Sequence, residues 1–132
     1  MSFEFPYHFL QFDNVSVPYP MVTATLSTFL GRHPYSFVMD TGADVTTLPN
    51  YMIAVLGLDR SALEETESTG VGGKTKSYNA EITITIKKLT FTLPVTFVEN
   101  NAIPLLLGKE GIFDRFNIVF DNDAKKTILH VR

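Results

Sequence analysis

Hydrophobic and polar residues alternate along most of this chain with a period of two, and the alternating stretches are rich in β-branched and aromatic residues. This pattern is typical of β-strands that have one face in a core and the other toward solvent. We therefore predict a mainly β protein, with strands at 20–26, 35–39, 80–87, 89–98, 117–120 and 127–131.

Turn-forming residues separate several of these strands. Lys87-Lys88 lies between two of them and predicts a hairpin turn. The segment 121–125 predicts another, because Asn and Asp accept the backbone conformations of turns. The segment 59–69 carries a cluster of glutamates, and we interpret it as a solvated loop or helical turn.

Two segments depart from the alternation and are predicted to be short helices. The first is 49–56, which has Pro near its start and Gly57 where a glycine commonly ends a helix. The second is 109–116, which follows Gly108.

Length and composition narrow the class of protein. The chain has 132 residues, so we expect one domain over 1–132, with 1–19 as an N-terminal extension in which a strand is one interpretation. There is no cysteine, which excludes disulfides, Cys-ligated zinc and thiol catalysis. A net charge of −3 argues against nucleic acid as a partner. No stretch approaches the roughly 18 apolar residues of a membrane span, so we expect no membrane partner and a cytoplasmic location.

The candidate chemistry lies where an apolar strand runs into Asp40-Thr41-Gly42. A carboxylate is thus delivered by a strand to the tip of a tight turn, although the tripeptide alone indicates only a turn with a solvated aspartate. Two later features agree with a site. Val71-Gly72-Gly73 is typical of a hairpin tip that approaches a ligand, and 104–108 is a short apolar strand that ends at a glycine.

The order of these motifs resembles the retropepsin-like aspartic peptidases, from about Pro20 to the C-terminus. The resemblance implies a closed acid-protease β-barrel with one or two short helices, active as a symmetric homodimer. It implies an aspartic endopeptidase that acts on peptide or protein substrates in extended form, with no cofactor and no metal.

The resemblance also assigns roles to individual residues. Asp40 matches the catalytic aspartate, Thr41 the threonine whose hydroxyl bonds to the partner's loop, and Gly42 the glycine that admits substrate backbone. The residues expected to bind substrate are Ala43, Asp44, Val71, Gly72, Gly73, Leu106 and Leu107. Many retroviral enzymes have Arg where this chain has Lys109, so an ion pair between Lys109 and Asp44 stays open.

A single Asp-Thr-Gly implies two chains. Peptide hydrolysis by carboxylates needs one group to accept a proton from water and another to donate a proton to the amide. Two carboxyl groups about 3 Å apart divide these roles because they share one proton, as aspartic protease dyads illustrate. The second carboxylate must therefore come from a second copy related by a two-fold axis. Ala43 lacks a hydroxyl that would stabilise the ionised pair, so we expect a weakly acidic optimum.

Other interpretations are weaker or stay open. The three histidines have no metal-ligand spacing, no serine-hydrolase motif occurs, and Gly70 to Lys74 lacks the register of a phosphate loop. The alternative from another class is a catalytically weak or inactive retropepsin-like domain used for dimerisation or peptide binding. The terminal segments could form the dimer interface, cover a sheet edge or hold monomers apart.

Overall fold

The computed structural model describes residues 1–70 and 73–132, and strands dominate it, as predicted. The strands are β1 Ser2–Pro6, β2 His8–Phe12, β3 Val15–Tyr19, β4 Met21–Thr28, β5 Gly31–Met39, β6 Thr46–Pro49, β7 Glu64–Gly70, β8 Gly73–Ile86, β9 Leu89–Val98, β10 Leu106–Leu107, β11 Phe116–Asp121 and β12 Lys126–Val131. One α-helix, α1, spans Tyr51–Val55, and one 3₁₀ helix spans Arg60–Ala62.

Six strands form a closed barrel. Their order is β4-β5-β10-β6-β9-β8, and a further pairing of β4 with β8 closes the ring. The inward side chains follow the period of two expected from the sequence and build the core, whose fully buried large members include Phe37, Phe97, Leu26, Leu48, Ile84, Leu93 and Leu107. The expected closed β-barrel with short helices is confirmed.

The predicted strands agree with the structure apart from their ends. The hairpin turn at Lys87-Lys88 is present, and Lys87 has a φ of 54°. In the turn after Asp121, the carboxylate of that residue accepts a hydrogen bond of 2.9 Å from the Ala124 amide. Both turns therefore form where the sequence predicted them.

A second sheet of three strands lies beside the barrel, in the order β1-β12-β11. The N-terminal strand β1 pairs antiparallel with β12, and its alternation buries Phe3 and Phe5. In the described part of the chain, no strand pairs with the outer edge of β11. Strands β2 and β3 form a separate exposed hairpin around a turn in which Asp13 has a φ of 53°.

The first predicted helix is confirmed, although it is shorter than 49–56 because Pro49 belongs to β6. It ends at a glycine as predicted. Gly57 adopts a φ of 70°, and the amides of Gly57 and Leu58 donate to the carbonyls of Ala54 and Ile53, each at 3.0 Å. These two bonds cap the carbonyls that the end of the helix leaves unpaired.

The second predicted helix, 109–116, is wrong. Its residues form successive turns that lead directly into β11. Gly111 has a φ of 85°, which a right-handed helix does not contain, and a Cβ there would lie 2.7 Å from the Cβ of Leu93. The chain must therefore turn at Gly111 to pass close to β9.

The interpretation of 59–69 as a loop or helical turn is wrong for most of its length. Only Arg60–Ala62 is helical, and Glu64–Gly70 is strand β7, which pairs antiparallel with β8 on the outside of the barrel. Glu65 is a diagonal neighbour of Lys76 on that strand, with 3.4 Å between their charged atoms. The side chains at 64–67 are all exposed, so this part of the strand is held by backbone pairing with β8 rather than by burial.

Helices long and apolar enough for a bilayer span do not occur in the described part of the chain.

Candidate active site

The backbone around Asp40 is fixed by two distant segments. The Val38 amide donates a hydrogen bond of 2.8 Å to the Leu105 carbonyl, and the Asp40 amide donates one of 3.0 Å to the Leu107 carbonyl. From the other side, the Met39 amide donates to the Pro20 carbonyl at 2.8 Å. The aspartate therefore sits at the end of a strand that has a neighbour on each side.

The turn after Asp40 orients its carboxylate. The Ala43 amide donates to the Asp40 carbonyl at 3.2 Å, and the Gly42 amide donates to Oδ1 of Asp40 at 2.9 Å. A Cβ on Gly42 would lie 3.2 Å from the same Oδ1. Glycine thus lets the backbone approach the carboxylate and hold it in one orientation. Asp40 is half-buried, while Thr41 and Gly42 are exposed beside it.

The segment after β10 packs against the turn that follows Asp40. The amides of Lys109 and Glu110 donate to the carbonyls of Ala43 and Asp44, both at 2.9 Å. Gly108 is buried, and a Cβ there would lie 2.4 Å from the backbone carbon of Val45. Only glycine allows these two backbone segments to lie side by side.

The ion pair that the sequence left open is present. Nζ of Lys109 lies 2.9 Å from Oδ1 of Asp44. The Asp44 side chain keeps 87% of its surface exposed and that of Lys109 keeps 39%. A pair this exposed contributes on the order of 1 kcal/mol or less to stability.

The sheet separates the site residues into two faces. Side chains alternate along β5, so Val38 and Asp40 lie on one face while Met39 lies on the other, in the core. The parallel register pairs Leu106 with Val38 and Leu107 with Met39. Leu107 is accordingly fully buried, and of these two leucines only Leu106 shares the face of Asp40.

The predicted hairpin tip is only partly described. Val71 and Gly72 lie outside the described residues. Gly73 has a φ of 97°, begins β8 and pairs with Gly70 at the end of β7. Its assignment to substrate binding stays a prediction, as do those of Ala43, Asp44, Leu106 and Leu107.

Thr41 borders two open grooves. One has a volume of about 460 Å³ and the other about 260 Å³. Phe120 of β11 lines both of them, and its side chain remains partly exposed. The free edge of β11 therefore lies beside the Asp40 turn.

Sequence reasoning missed three residues of this region. Val38 could have been found from its spacing, since it precedes Asp40 by two positions in a strand. Thr46, whose buried hydroxyl accepts a 3.0 Å hydrogen bond from the Gly108 amide, gave no signal in the sequence. Phe120 gave none either, because its proximity to Thr41 depends on the course of β11. No cluster of His, Asp and Glu suited to a metal occurs among residues 1–70 and 73–132.

Comparison with known proteins agrees with this geometry. The chain is similar over its length to a retropepsin-like aspartic protease from Rickettsia conorii, with a TM-score of 0.68, 19% identity and 98% of each chain covered. It is similar to the EIAV protease complexed with the inhibitor HBY-793, with a TM-score of 0.53, 20% identity and coverage of 76% of this chain and 88% of the other. At these identities the likenesses show the fold alone.

A search of curated proteins found no significant match. The model of the family described as aspartyl protease matches residues 22–110, which is more than half of the chain and includes Asp40 and Lys109. The chain therefore belongs to the aspartyl protease family, and its fold is retropepsin-like.

Proposed function

We propose that the protein is an aspartic endopeptidase that cleaves extended polypeptides with a dyad of two Asp40 carboxylates, one from each of two copies. The observation that carries the proposal is the Asp40 carboxylate itself. The Gly42 amide holds it in the turn that directly follows β5, beside the exposed Thr41.

In the proposed reaction, one carboxylate removes a proton from a water molecule while the water oxygen bonds to the peptide carbonyl carbon. The second carboxyl is protonated and donates to the carbonyl oxygen. The carbon–nitrogen bond of the resulting gem-diol then breaks as the carboxyl that took the water proton donates it to the leaving nitrogen, and the other carboxylate takes a proton back from a gem-diol hydroxyl as the acid product forms. Neither carboxylate forms a covalent bond to the substrate, because each acts only as acid or base.

The need for a second copy is supported by the surface around Thr41. The free edge of β11 borders this residue and exposes Val119 and Phe120, which are 40% and 37% accessible. An edge strand with apolar side chains is a template for pairing with another chain. An antiparallel pairing of β11 with its own copy would be isologous and would bring the two Asp40 turns together on the two-fold axis.

Binding of an extended substrate is supported by groups that are already exposed. Asp44 offers an exposed carboxylate for main-chain amides, and β7 and β8 form an antiparallel pair that begins from the glycine-rich segment expected to contact substrate. Main-chain hydrogen bonds would hold a peptide in register, and side chains would enter alternate pockets.

The test is subunit mixing. Asp40→Asn chain is added to a fixed amount of wild type, and cleavage of a peptide library is followed after the dimers have exchanged. If the dyad is shared, an equal amount of variant lowers activity to about half, and an excess abolishes it, because mixed dimers hold one carboxylate. Activity that is unaffected by the variant would contradict the shared dyad.

A matched control is the double variant Asp40→Asn with Phe120→Lys, which adds a charge at the proposed interface. It should inhibit wild type less than Asp40→Asn alone does at the same concentration, because the lysine at the apolar interface weakens the mixed dimer. If wild type cleaves no peptide between about pH 4 and 7 while remaining dimeric, the chain is a dimerisation or peptide-binding module instead.

A further inference from the structure

We propose that the β2–β3 hairpin is a dimerisation arm, and that its face carrying Phe9 and Pro18 packs against the second copy of this chain. The inference rests on the proposed function, because it names a further surface that brings the two Asp40 turns together. The hairpin spans 8–19, outside the segment 22–110 that matches the family model. The arm is therefore a feature that this chain adds to the matched region.

The hairpin is anchored at its base on both sides. Before it, the Tyr7 amide donates a hydrogen bond of 2.9 Å to the Lys125 carbonyl, and the Tyr7 hydroxyl donates one of 2.9 Å to Oδ1 of Asn122. After it, the Pro20 carbonyl accepts a hydrogen bond of 2.8 Å from the Met39 amide. Met39 directly precedes the aspartate of the proposed dyad, so the arm begins beside that aspartate.

Beyond its base the hairpin exposes apolar side chains. Residues 8–16 are all exposed, and the large apolar ones are Phe9, Leu10, Phe12 and Val15, at 46%, 48%, 54% and 60%. A two-stranded hairpin by itself is only marginally stable in water. Contiguous apolar surface of this kind marks an interaction site in a folded protein. A second surface that covers the hairpin would therefore stabilise it.

The register sorts these side chains into two faces. Phe9 pairs with Pro18 on one face, and Leu10 pairs with Val17 on the other. Leu10 borders a groove toward the barrel of its own subunit, beside Val38. The two faces therefore border different parts of the subunit, and the surroundings of Pro18 show what the Phe9 face meets.

The Pro18 face shares a groove with the Asp40 turn. The open groove of about 260 Å³ that Thr41 borders is also lined by Pro18, Pro20 and Phe120. Thr41 follows Asp40, which must lie close to the two-fold axis if the two carboxyl groups are to be about 3 Å apart. The groove therefore faces the second copy. Through it, the apolar edge of β11 continues onto the hairpin.

The size of the interface also favours the second copy as the occupant. Strand β11 has 6 residues, of which Val119 and Phe120 expose 40% and 37% of their surface. A stable interface takes about 800 Å² and roughly 20 to 30 residues from each partner. The edge of β11 alone falls well short of this, and the hairpin is apolar surface directly beside it. Interface cores are rich in aromatic residues, and Phe9 supplies a second one next to Phe120.

The experiment uses the absence of tryptophan from the chain, because one introduced tryptophan then reports on its own surroundings. Phe9→Trp and Leu10→Trp place it on opposite faces of the hairpin, at positions of nearly equal exposure. Emission is recorded over a series of protein concentrations in which analytical ultracentrifugation measures the dimer fraction. We expect the emission of Phe9→Trp to move to shorter wavelength in step with the dimer fraction, and that of Leu10→Trp to stay unchanged.

The outcomes separate the arm from the proposed function. A dimer that forms without a shift in Phe9→Trp overturns the arm and leaves the shared dyad intact. A shift with dimer formation in a chain that cleaves nothing supports the arm and removes the peptidase. A shift produced by the peptide library instead of by protein concentration assigns the face to substrate and overturns the arm. So does a chain that stays monomeric, and the cleavage assay then judges the peptidase separately.

A second pair of variants measures the contribution of the face to dimer affinity. Phe9→Asp should raise the dimer dissociation constant by at least about tenfold, because an unpaired carboxylate would be buried against the second copy. Leu10→Asp adds the same charge to the other face and should raise it by less than about threefold. Both positions are exposed in the subunit, so both variants should fold. Equal changes in the two variants, or no change in Phe9→Asp, would overturn the proposal.

Discussion

The hydroxyl of Thr46 accepts a hydrogen bond of 3.0 Å from the amide of Gly108, and both residues are buried beneath the Asp40 turn. The contact joins β6 to the residue that follows β10. The carbonyls of Leu105 and Leu107, just before it, accept hydrogen bonds from the amides of Val38 and Asp40. The net contribution of a buried hydrogen bond to stability is small. Removing one partner costs more, because the other polar group is then buried without a hydrogen bond.

Replacing Thr46 with Val keeps the shape of the side chain and removes the acceptor. We expect Thr46→Val to lower the free energy of unfolding by about 1 to 3 kcal/mol, because the Gly108 amide would be left unsatisfied. Urea denaturation measures this. Thr23→Val is the control, since Thr23 is exposed on β4 and should change stability by less than about 0.5 kcal/mol. Equal effects of the two substitutions would contradict the assigned role.

Gly111→Ala tests the reason why 109–116 is not a helix. Gly111 and Gly31 both have positive φ, but a Cβ at Gly111 meets Leu93 at 2.7 Å, whereas nothing lies within 4 Å of one at Gly31. Gly31→Ala should therefore cost about 1 kcal/mol of backbone strain, and Gly111→Ala about 2 to 4 kcal/mol because packing is also disturbed. Thermal unfolding of both variants compares the two costs. Stability losses of the same size would contradict this explanation, because the close contact between the new Cβ and Leu93 would then add nothing to the loss.

Ala43→Ser tests how the turn sets the pH range of activity. A serine hydroxyl at this position can donate to the dyad and stabilise its ionised form. The acidic limb of the pH–rate profile should then move to lower pH, while the wild type keeps its maximum above about pH 3. Profiles of kcat/KM measure the shift, and Ala102→Ser, in the loop before β10, is the control. A shift toward higher pH in Ala43→Ser would refute the explanation.

Phe120→Lys tests the proposed interface at β11. Two copies of the new charge would face each other near the two-fold axis, so we expect the dimer dissociation constant to rise by at least tenfold and activity to become more dependent on protein concentration. Analytical ultracentrifugation measures this. Phe29→Lys adds the same charge at another exposed phenylalanine, which is 67% accessible in the turn between β4 and β5. A dimer weakened equally by both variants would place the interface elsewhere.

The ion pair between β1 and β12 should lose its stabilising effect at alkaline pH. A hydrogen bond of 2.8 Å with Glu4, together with its charge, raises the pKa of Lys126 above the ordinary lysine value. The pair therefore stabilises the fold below the ordinary lysine pKa, and this contribution is lost as the pH rises through the higher folded-state pKa.

Stability measured at a series of pH values checks this. Glu4→Gln should be less stable than wild type at neutral pH, and the difference should vanish in the alkaline range where Lys126 loses its proton. Glu81→Gln is the control, because Glu81 is exposed and forms no ion pair among the described residues. A difference for Glu4→Gln that persists at alkaline pH would contradict the ion pair as its cause.

The barrel was predictable because its strands carry the alternation that a two-faced sheet requires. The Asp40 turn was predictable because its two determinants, the apolar strand before Asp40 and the glycine at position 42, are visible in the local sequence. Strand β7 was not, since the side chains at 64–67 are all exposed and the strand is held by pairing with β8. Charge clusters such as that around Glu65 look the same in a loop and in such a strand.

The turn at Gly111 was missed for a related reason. Nothing within 109–116 reveals that Leu93 comes within contact distance, so the conformation is set by a residue from another strand. The ion pair of Lys109 with Asp44 and the bond between Thr46 and Gly108 likewise depend on how β10 enters the barrel. The sequence pattern thus indicates candidate site residues, whereas tertiary packing decides which of them lie together.

The hydrogen bond between Asp40 and Leu107 joins residues that are far apart in the chain. During synthesis the ribosome releases the Asp40 turn long before the strand that anchors it, and such non-local contacts form late. The strand that carries Asp40 in the nascent polypeptide therefore lacks this anchor until the segment around Leu107 has emerged.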